Sequence, residues 1–307
     1  MLVYVLRRLG WSVVVFLTTL LITFGLMHAI GGTPFNASES SSVPLAAQWR
    51  LEAYYHLDQP WPVQFAVYLW HIVRLDFGPM LSYRDASLTP VMKEAVPISL
   101  QLSGLAAAVA VVLGFPLGIG AALRRGRATG ALLTVLATIL LAVPVFLFAE
   151  LGRDYVAATP LATTGWGSLR SMWLPVLVLA LAPAGYVARL VRAGVVEALG
   201  EDWVRAARAK GLRRGRVVLV HVLPGALTPF LAAAIPMLAL LITSAFFVEQ
   251  IFRIPGAASL FIESADRRDY PAILGLTAVL ALLVVLAILA ADVAAAALDP
   301  RVREARR

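Results

Sequence analysis

Cysteine is missing altogether from these 307 residues, and lysine nearly so: Lys93 and Lys210 are the only two. Without thiols there is neither a disulfide nor a thiolate metal site to build. Four scattered histidines (His28, His56, His71, His221) and no His-Glu-x-x-His run leave no pattern of metal ligands. A Gly-x-x-x-x-Gly-Lys-Ser/Thr loop is absent too, so the chain has no phosphate cradle of its own for hydrolysing ATP. Above all, charge is scarce. Asp, Glu, Lys and Arg make up 14% of the residues, where a soluble domain carries about a quarter. With 60% hydrophobic residues and a mean hydropathy of +0.83, lipid rather than water is the expected solvent.

The charge-free runs carry that expectation further. No Asp, Glu, Lys or Arg occurs between Arg8 and Glu39, Glu94 and Arg124, Arg127 and Glu150, Arg170 and Arg189, Arg216 and Glu249, or Asp269 and Asp292. Each run has at least 18 residues, and crossing a hydrocarbon core of about 30 Å takes roughly 20. Six buried helices of a soluble protein would need polar faces that these runs lack. Six spans are therefore expected, the first in the run after Arg8 and ahead of an outer segment at about 36–94, the others at about 97–122, 130–149, 173–191, 222–248 and 272–292. The apolar part of the first is too long for a cleaved signal peptide and has no Ala-x-Ala-like exit, so a retained span is expected.

The pI near 10.3 raises the question of nucleic acid, but the placement of the charges answers it. With the N-terminus in the cytoplasm and sides alternating, segments 1–8, 123–128, 189–216 and 292–307 hold 17 of the 26 Lys and Arg (2, 3, 8 and 4 in turn). The opposite side holds 9, against 12 acids. That asymmetry is the positive-inside pattern, and it sets both termini in the cytoplasm. The expected fold is an all-α integral membrane protein of six transmembrane helices, in two parts. Residues 1–94 give the first helix and a large extracytoplasmic segment, and residues 95–307 a five-helix core. Nucleic acid is not an expected partner.

Within the extracytoplasmic segment, "NASESSSVP" is flexible in composition, and Trp61, Phe65, Tyr68 and Trp70 after a Pro-rich turn predict an interfacial or surface helix. Such aromatics are more often membrane anchors than ligand contacts. In the second span, Gly114 and Gly118 lie four apart on one helical face, where another helix can approach closely. The fifth carries Pro224, Pro229 and Pro236, each removing a backbone hydrogen bond. This fits a kinked, pathway-lining helix or a merely bent one.

The exception to all this oil is "EDWVRAARAKGLRRGRVVLVHVLPGALTPF", Glu201–Phe230, where Arg205, Arg208, Lys210, Arg213, Arg214 and Arg216 crowd together. Six cations at a bilayer centre would cost about 15–20 kcal/mol, so the segment must lie outside lipid. Asp202 is placed to cap a helix, and Gly211 sits where a left-handed C-terminal turn needs glycine. Leu199, Trp203, Ala206 and Ala207 share one small, partly aromatic face. By spacing alone, a helix made to fit a groove on another protein and a solvated loop that only enforces topology are equally good readings.

At this point the chain becomes recognisable. "DWVRAARAKGL" followed by "HVLPGALTPF" resembles the cytoplasmic loop of ABC-importer permeases, with pattern Glu-Ala-Ala, three residues, Gly, nine residues, Ile-x-Leu-Pro. Ala206, Ala207, Gly211, Leu223 and Pro224 fall in register, while Arg205 replaces the Glu and His221 the Ile. "VLRRLG", "HLDQPWPVQF", "FFVEQIFRIPGAASLFIESADRRDYPAILG" and "LDPRVR" are similar to stretches of the dipeptide and oligopeptide subgroup, so the resemblance covers essentially the whole chain. "LDFG", "YHLD" and "AIGGTP" depart from the subgroup's usual "GDFG", "LGLD" and "MIPGDP", all on the outer side.

The resemblance implies a pore-forming permease subunit in a prokaryotic cytoplasmic membrane that binds no cofactor itself, ATP and magnesium belonging to partner subunits. The implied partners are a second homologous permease, two cytoplasmic ATPases, an extracytoplasmic substrate-binding protein and the lipid bilayer. It implies a cytoplasmic coupling helix between the fourth and fifth spans, carried by Asp202, Trp203, Arg205, Ala206, Ala207, Lys210, Gly211 and Leu212, with Leu223 and Pro224 joining the loop to the fifth span. Peptides are the implied cargo, although permeases for nickel, glutathione and some sugars share the pattern. Two other classes are weaker. A self-sufficient secondary transporter should carry ionisable groups near mid-span, and the charge-free runs hold none. A membrane-embedded enzyme should show paired acids, a serine-centred motif or metal ligands, and the sequence shows none.

Overall fold

The structure, a computed structural model, describes residues 2–29, 53–54, 56, 58–80, 87–159, 164–267 and 269–298. The "NASESSSVP" stretch and the basic end of the chain from 299 onward fall outside these residues. Ten helices of eight or more residues are described: α1 (Leu2–Ala29), α2 (Trp61–Val73), α3 (Leu88–Leu123), α4 (Ala128–Ala142), α5 (Val145–Ala158), α6 (Leu169–Leu199), α7 (Asp202–Ala209), α8 (Leu223–Phe252), α9 (Ala257–Asp266) and α10 (Tyr270–Leu298). Among the described residues there is no strand, only an isolated bridge between Pro79 and Ser87.

By length and composition, four helices can cross a membrane: Val5–Ala29, Leu88–Leu123, Leu169–Leu199 and Tyr270–Ala290. The number rises to six if α4 with α5, and the end of α8 with α9, are each one broken span. The stretch read from sequence as one span at 130–149 is such a pair, bent by 92°. Pro144 explains the break. A residue before proline is pushed out of the α region, and Val143 is extended (ψ 124°), with Pro144 itself extended at the start of α5.

The chain forms two compact units, Leu100–Ile254 with the residues before Val5 and after Leu286, and Val5–Ser99 with Pro255–Leu286. In the first, α6 is the hub: it packs on α4, α5 and α8, and 61% of its apolar window is buried. Its start is set by Ser168, whose hydroxyl accepts from the Ser171 N–H while the Ser171 hydroxyl answers to the Ser168 backbone. Glycines let neighbouring backbones close on it. A Cβ on Gly114 would lie 2.7 Å from the Ala184 carbonyl oxygen, and one on Gly118 2.5 Å from that of Ala188, so α3 meets α6 along the face the sequence marked. A Cβ on Gly185 of α6 would likewise lie 2.5 Å from the Ala137 carbonyl oxygen of α4.

The second unit is built on aromatic and aliphatic packing. Leu20, Phe24 and Met27 of α1 bury against Tyr68 of α2 and Leu274 and Ala278 of α10. The Tyr68 hydroxyl donates to the Leu274 carbonyl at 2.9 Å, and burial pushes its phenol above the ordinary tyrosine range, so it remains a proton donor. A second cluster joins Leu88, Met92 and Ala95 of α3 to Ala257, Leu260, Ala272 and Leu276. Asp269, fully buried, caps α10 by accepting from the Ala272 N–H at 3.2 Å.

Candidate functional site

The basic segment folds as three pieces in the first unit. Helix α7 covers Asp202–Ala209, a left-handed turn follows at Gly211 (φ +76°), and Arg214–Arg216 lead into a π-helical stretch, Val217–Val222, that runs into α8. The turn depends on glycine's freedom alone: no atom lies within 4 Å of where a Cβ would stand, yet the positive φ strains any L side chain. The Gly211 N–H donates to the Arg208 carbonyl and the Lys210 N–H to that of Ala206, closing the last turn of α7.

Two expectations need correction at the start of α7. Asp202 is not its cap: Glu201 holds that position in extended geometry with no side-chain capping bond, and Asp202 is the first helical residue, ion-paired with Arg205. A carboxylate there still meets the positive end of the helix dipole. The expected face of Leu199, Trp203, Ala206 and Ala207 also divides. Leu199 ends α6, and the break at Gly200–Glu201 interrupts the helical phase between them. Val204 and Ala207, three apart, turn inward and are buried, while Trp203 is 53% exposed and Ala206 is exposed beside it. The anchor is Val204, which small-residue spacing alone passed over.

Helix α7 rests on the end of α6 and on the π-helical stretch. Within that stretch Val217, Val218 and Val222 are buried, while Leu219 and Val220 are exposed. Leu223 and Pro224 stand where the π-helical stretch passes directly into α8. Helix α8 continues through positions 229 and 236. The Arg214 guanidinium donates to the Leu123 carbonyl at the end of α3, at 3.3 Å. Among the described residues, the Asp202–Arg205 pair is the one ion pair within 201–216. The site thus presents Trp203, Ala206, Arg208 and Lys210 outward on a short rigid helix, with its inward side seated on the segment that starts α8. This arrangement holds no nucleophile–base pair. No group of three or more His, Asp or Glu fit to hold a metal occurs among the described residues.

In the sequence, Glu249 marks the edge of a charge-free run and falls in the stretch similar to the dipeptide and oligopeptide subgroup. The structure buries it completely near the end of α8, and its proximity to a span end gave no signal of that.

Residues 114–304 match the family described as Binding-protein-dependent transport system inner membrane component. The chain is 36% identical over 304 residues to the dipeptide transport system permease protein DppB of Bacillus subtilis (98% of this chain, 97% of that one). It is 33% identical over 307 residues to the oligopeptide transport system permease protein OppB of Escherichia coli K12 (99% and 100%). Among solved structures, an inward-facing MetNI methionine ABC transporter matches with a TM-score of 0.58 at 19% identity, over 68% of this chain and 96% of that one. An amino acid ABC transporter matches at 0.54 and 16%, over 67% and 94%. With its apolar helices and full-length relatives, this chain is a multi-pass membrane protein that belongs to the family of binding-protein-dependent transport system inner membrane components.

Proposed function

We propose that the chain is the pore-forming permease subunit of an ATP-driven importer that moves di- or oligopeptides into the cytoplasm. The observation that carries this is α7: a short helix outside the apolar segments, its exposed side offered to a partner and its buried side seated on the joint into α8. Asp202, Trp203, Arg205, Ala206, Ala207, Lys210, Gly211 and Leu212 form the coupling element in this reading, and Leu223 and Pro224 the joint through which it moves α8. Trp203, Ala206 and Lys210 meet a cleft on a cytoplasmic ATPase. Val204 and Ala207 hold the helix to its own chain, and Gly211 lets the chain turn back toward the membrane.

The remaining assembly follows from the family: a second homologous permease, two ATPases that hold ATP and magnesium, and an extracytoplasmic binding protein. The chain itself binds no cofactor and catalyses no reaction. It sits in a prokaryotic cytoplasmic membrane with six spans, both termini in the cytoplasm, and a five-helix core over 95–307. Peptide cargo is supported by relatives named for dipeptide and oligopeptide transport.

The test is purification of the tagged chain from native membranes in mild detergent, with mass spectrometry of the partners, followed by uptake assays in proteoliposomes. Recovery of a second permease and Walker-motif ATPases, with uptake of a labelled dipeptide, is the expected result. A folded chain that always purifies alone would overturn the importer reading. Uptake of nickel or glutathione but not peptides would overturn the cargo.

A further inference from the structure

Helix α2 is as apolar on its outside as on its inside. Trp61–Val73 contains no Asp, Glu, Lys or Arg. One side packs into the second unit: Gln64 and Tyr68 are buried, and Phe65, Leu69 and Ile72 lie against the Leu20–Phe24–Met27 cluster. The other side presents Val63, Ala66, Trp70 and Val73, at helical spacings of three, four and three, all exposed. Val73 reaches 75% exposure and Trp70 55%, with Trp61 and Leu75 exposed at the two ends. In water such a stripe would be a liability, and a polar face would be expected opposite the packed one.

The place where α2 is fastened says what covers it. Its inner side is clamped to the last two turns of α1. The Phe24 ring stands 5.3 Å from that of Phe65 and 6.0 Å from that of Tyr68. His28, in the final turn of α1, contacts the Phe24 carbonyl at 3.0 Å and the Gln64 side-chain oxygen at 3.3 Å. The Gln64 amide in turn donates to the Gln59 carbonyl at 2.8 Å, tying in the turn before α2. Helix α1 is long and apolar enough to cross a membrane, and the rest of the chain buries little of its apolar stretch. Helix α2 is thus fastened beside the C-terminal end of a helix long and apolar enough to cross a membrane. At the other end of α2, the Arg74 guanidinium lies 4.4 Å over the Trp70 ring, which holds a cation at the edge of the apolar stripe. Tryptophans at both ends of an apolar stripe, with the charge at its edge, are the composition of a helix lying in the interface.

We infer that α2 lies in the plane of the membrane, with Val63, Ala66, Trp70 and Val73 immersed in the lipid interface at the C-terminal end of α1. Arg74 then meets the headgroup layer. The inference holds whichever way the chain faces, so it stands apart from the transport assignment. Its consequence is that the end of α1 is held at a set depth by a second, transverse anchor.

The absence of cysteine makes the test direct. Single cysteines are placed by Ala66→Cys and Val73→Cys, whose side chains face outward, and spin-labelled in the full chain reconstituted into phosphatidylethanolamine–phosphatidylglycerol nanodiscs. Leu21→Cys on the lipid side of α1 and Asp58→Cys before α2 serve as lipid and water references. Power saturation then reads collision with oxygen, which concentrates in lipid, and with a nickel chelate, which remains in water. The expected result is an oxygen-to-nickel ratio several-fold above that of Asp58→Cys and below that of Leu21→Cys at both α2 positions. A ratio matching Asp58→Cys puts the face in water and overturns the inference. Protection from both probes means that protein covers it, which overturns it equally. Size-exclusion profiles matching the parent confirm that each labelled chain is folded.

Discussion

Gly118 can be exchanged for nothing larger without moving a backbone. A side chain there would meet the Ala188 carbonyl at 2.5 Å, and overpacking of a tight contact costs about 1–3 kcal/mol. Gly118→Leu should therefore lower the thermal stability of the purified chain, whereas Gly104→Ala, with nothing within 4 Å, should leave it unchanged; fluorescence-detected thermal melts compare the two. Gly211 is constrained differently, by its φ of +76°. A non-glycine residue in that region costs about 1–2 kcal/mol, so Gly211→Val should reduce transport by displacing α7 while the chain still inserts. Normal uptake by this variant would remove Gly211 from the coupling element. Both glycines were legible in the sequence, one through its four-residue spacing and one through its place after a short helix. The cap was not. Asp202 and Glu201 are adjacent acids, and only the backbone geometry decides which of them precedes the helix.

Helix α7 separates two roles that the sequence merged. Ala206 faces outward and Ala207 inward, so the same substitution at adjacent positions should fail in different ways. Ala206→Trp is expected to leave stability unchanged and to break the link between ATP hydrolysis and uptake in the reconstituted complex. Ala207→Trp should instead destabilise the chain by about 1–3 kcal/mol, through overpacking against its own loop. If both variants melt at the parent temperature and both uncouple, the inward assignment of Ala207 is wrong. The same limit of pattern reading shows at Pro144. Hydropathy averages over a window and registers one apolar run at 130–149, whereas the bend of 92° comes from a single residue that excludes its neighbour from helical geometry. Existence and polarity of elements were readable because burial in lipid selects composition over many residues. Breaks and facing were not, because one dihedral or one missing turn decides them.

For the whole molecule, the distribution of arginine predicts sidedness. With single cysteines at Arg208 and Asp58, a membrane-impermeant maleimide should label Asp58→Cys in intact cells and Arg208→Cys only after the cells are opened. The reverse pattern would invert the proposed topology. The helical, apolar character of the chain could be read from charge-free runs, but the division into two units could not, since it depends on contacts between residues far apart in the chain. One such contact bears on how the protein is made. Leu20 and Phe24 of α1 find their burial partners Leu274 and Ala278 some 250 residues later. At about 5–20 residues per second, a ribosome takes roughly 12–50 s to reach them. Throughout that interval Leu20 and Phe24 have α2 but not α10 to pack against, and the apolar surface of the first helix keeps it a stable passenger of the bilayer until the last helix arrives.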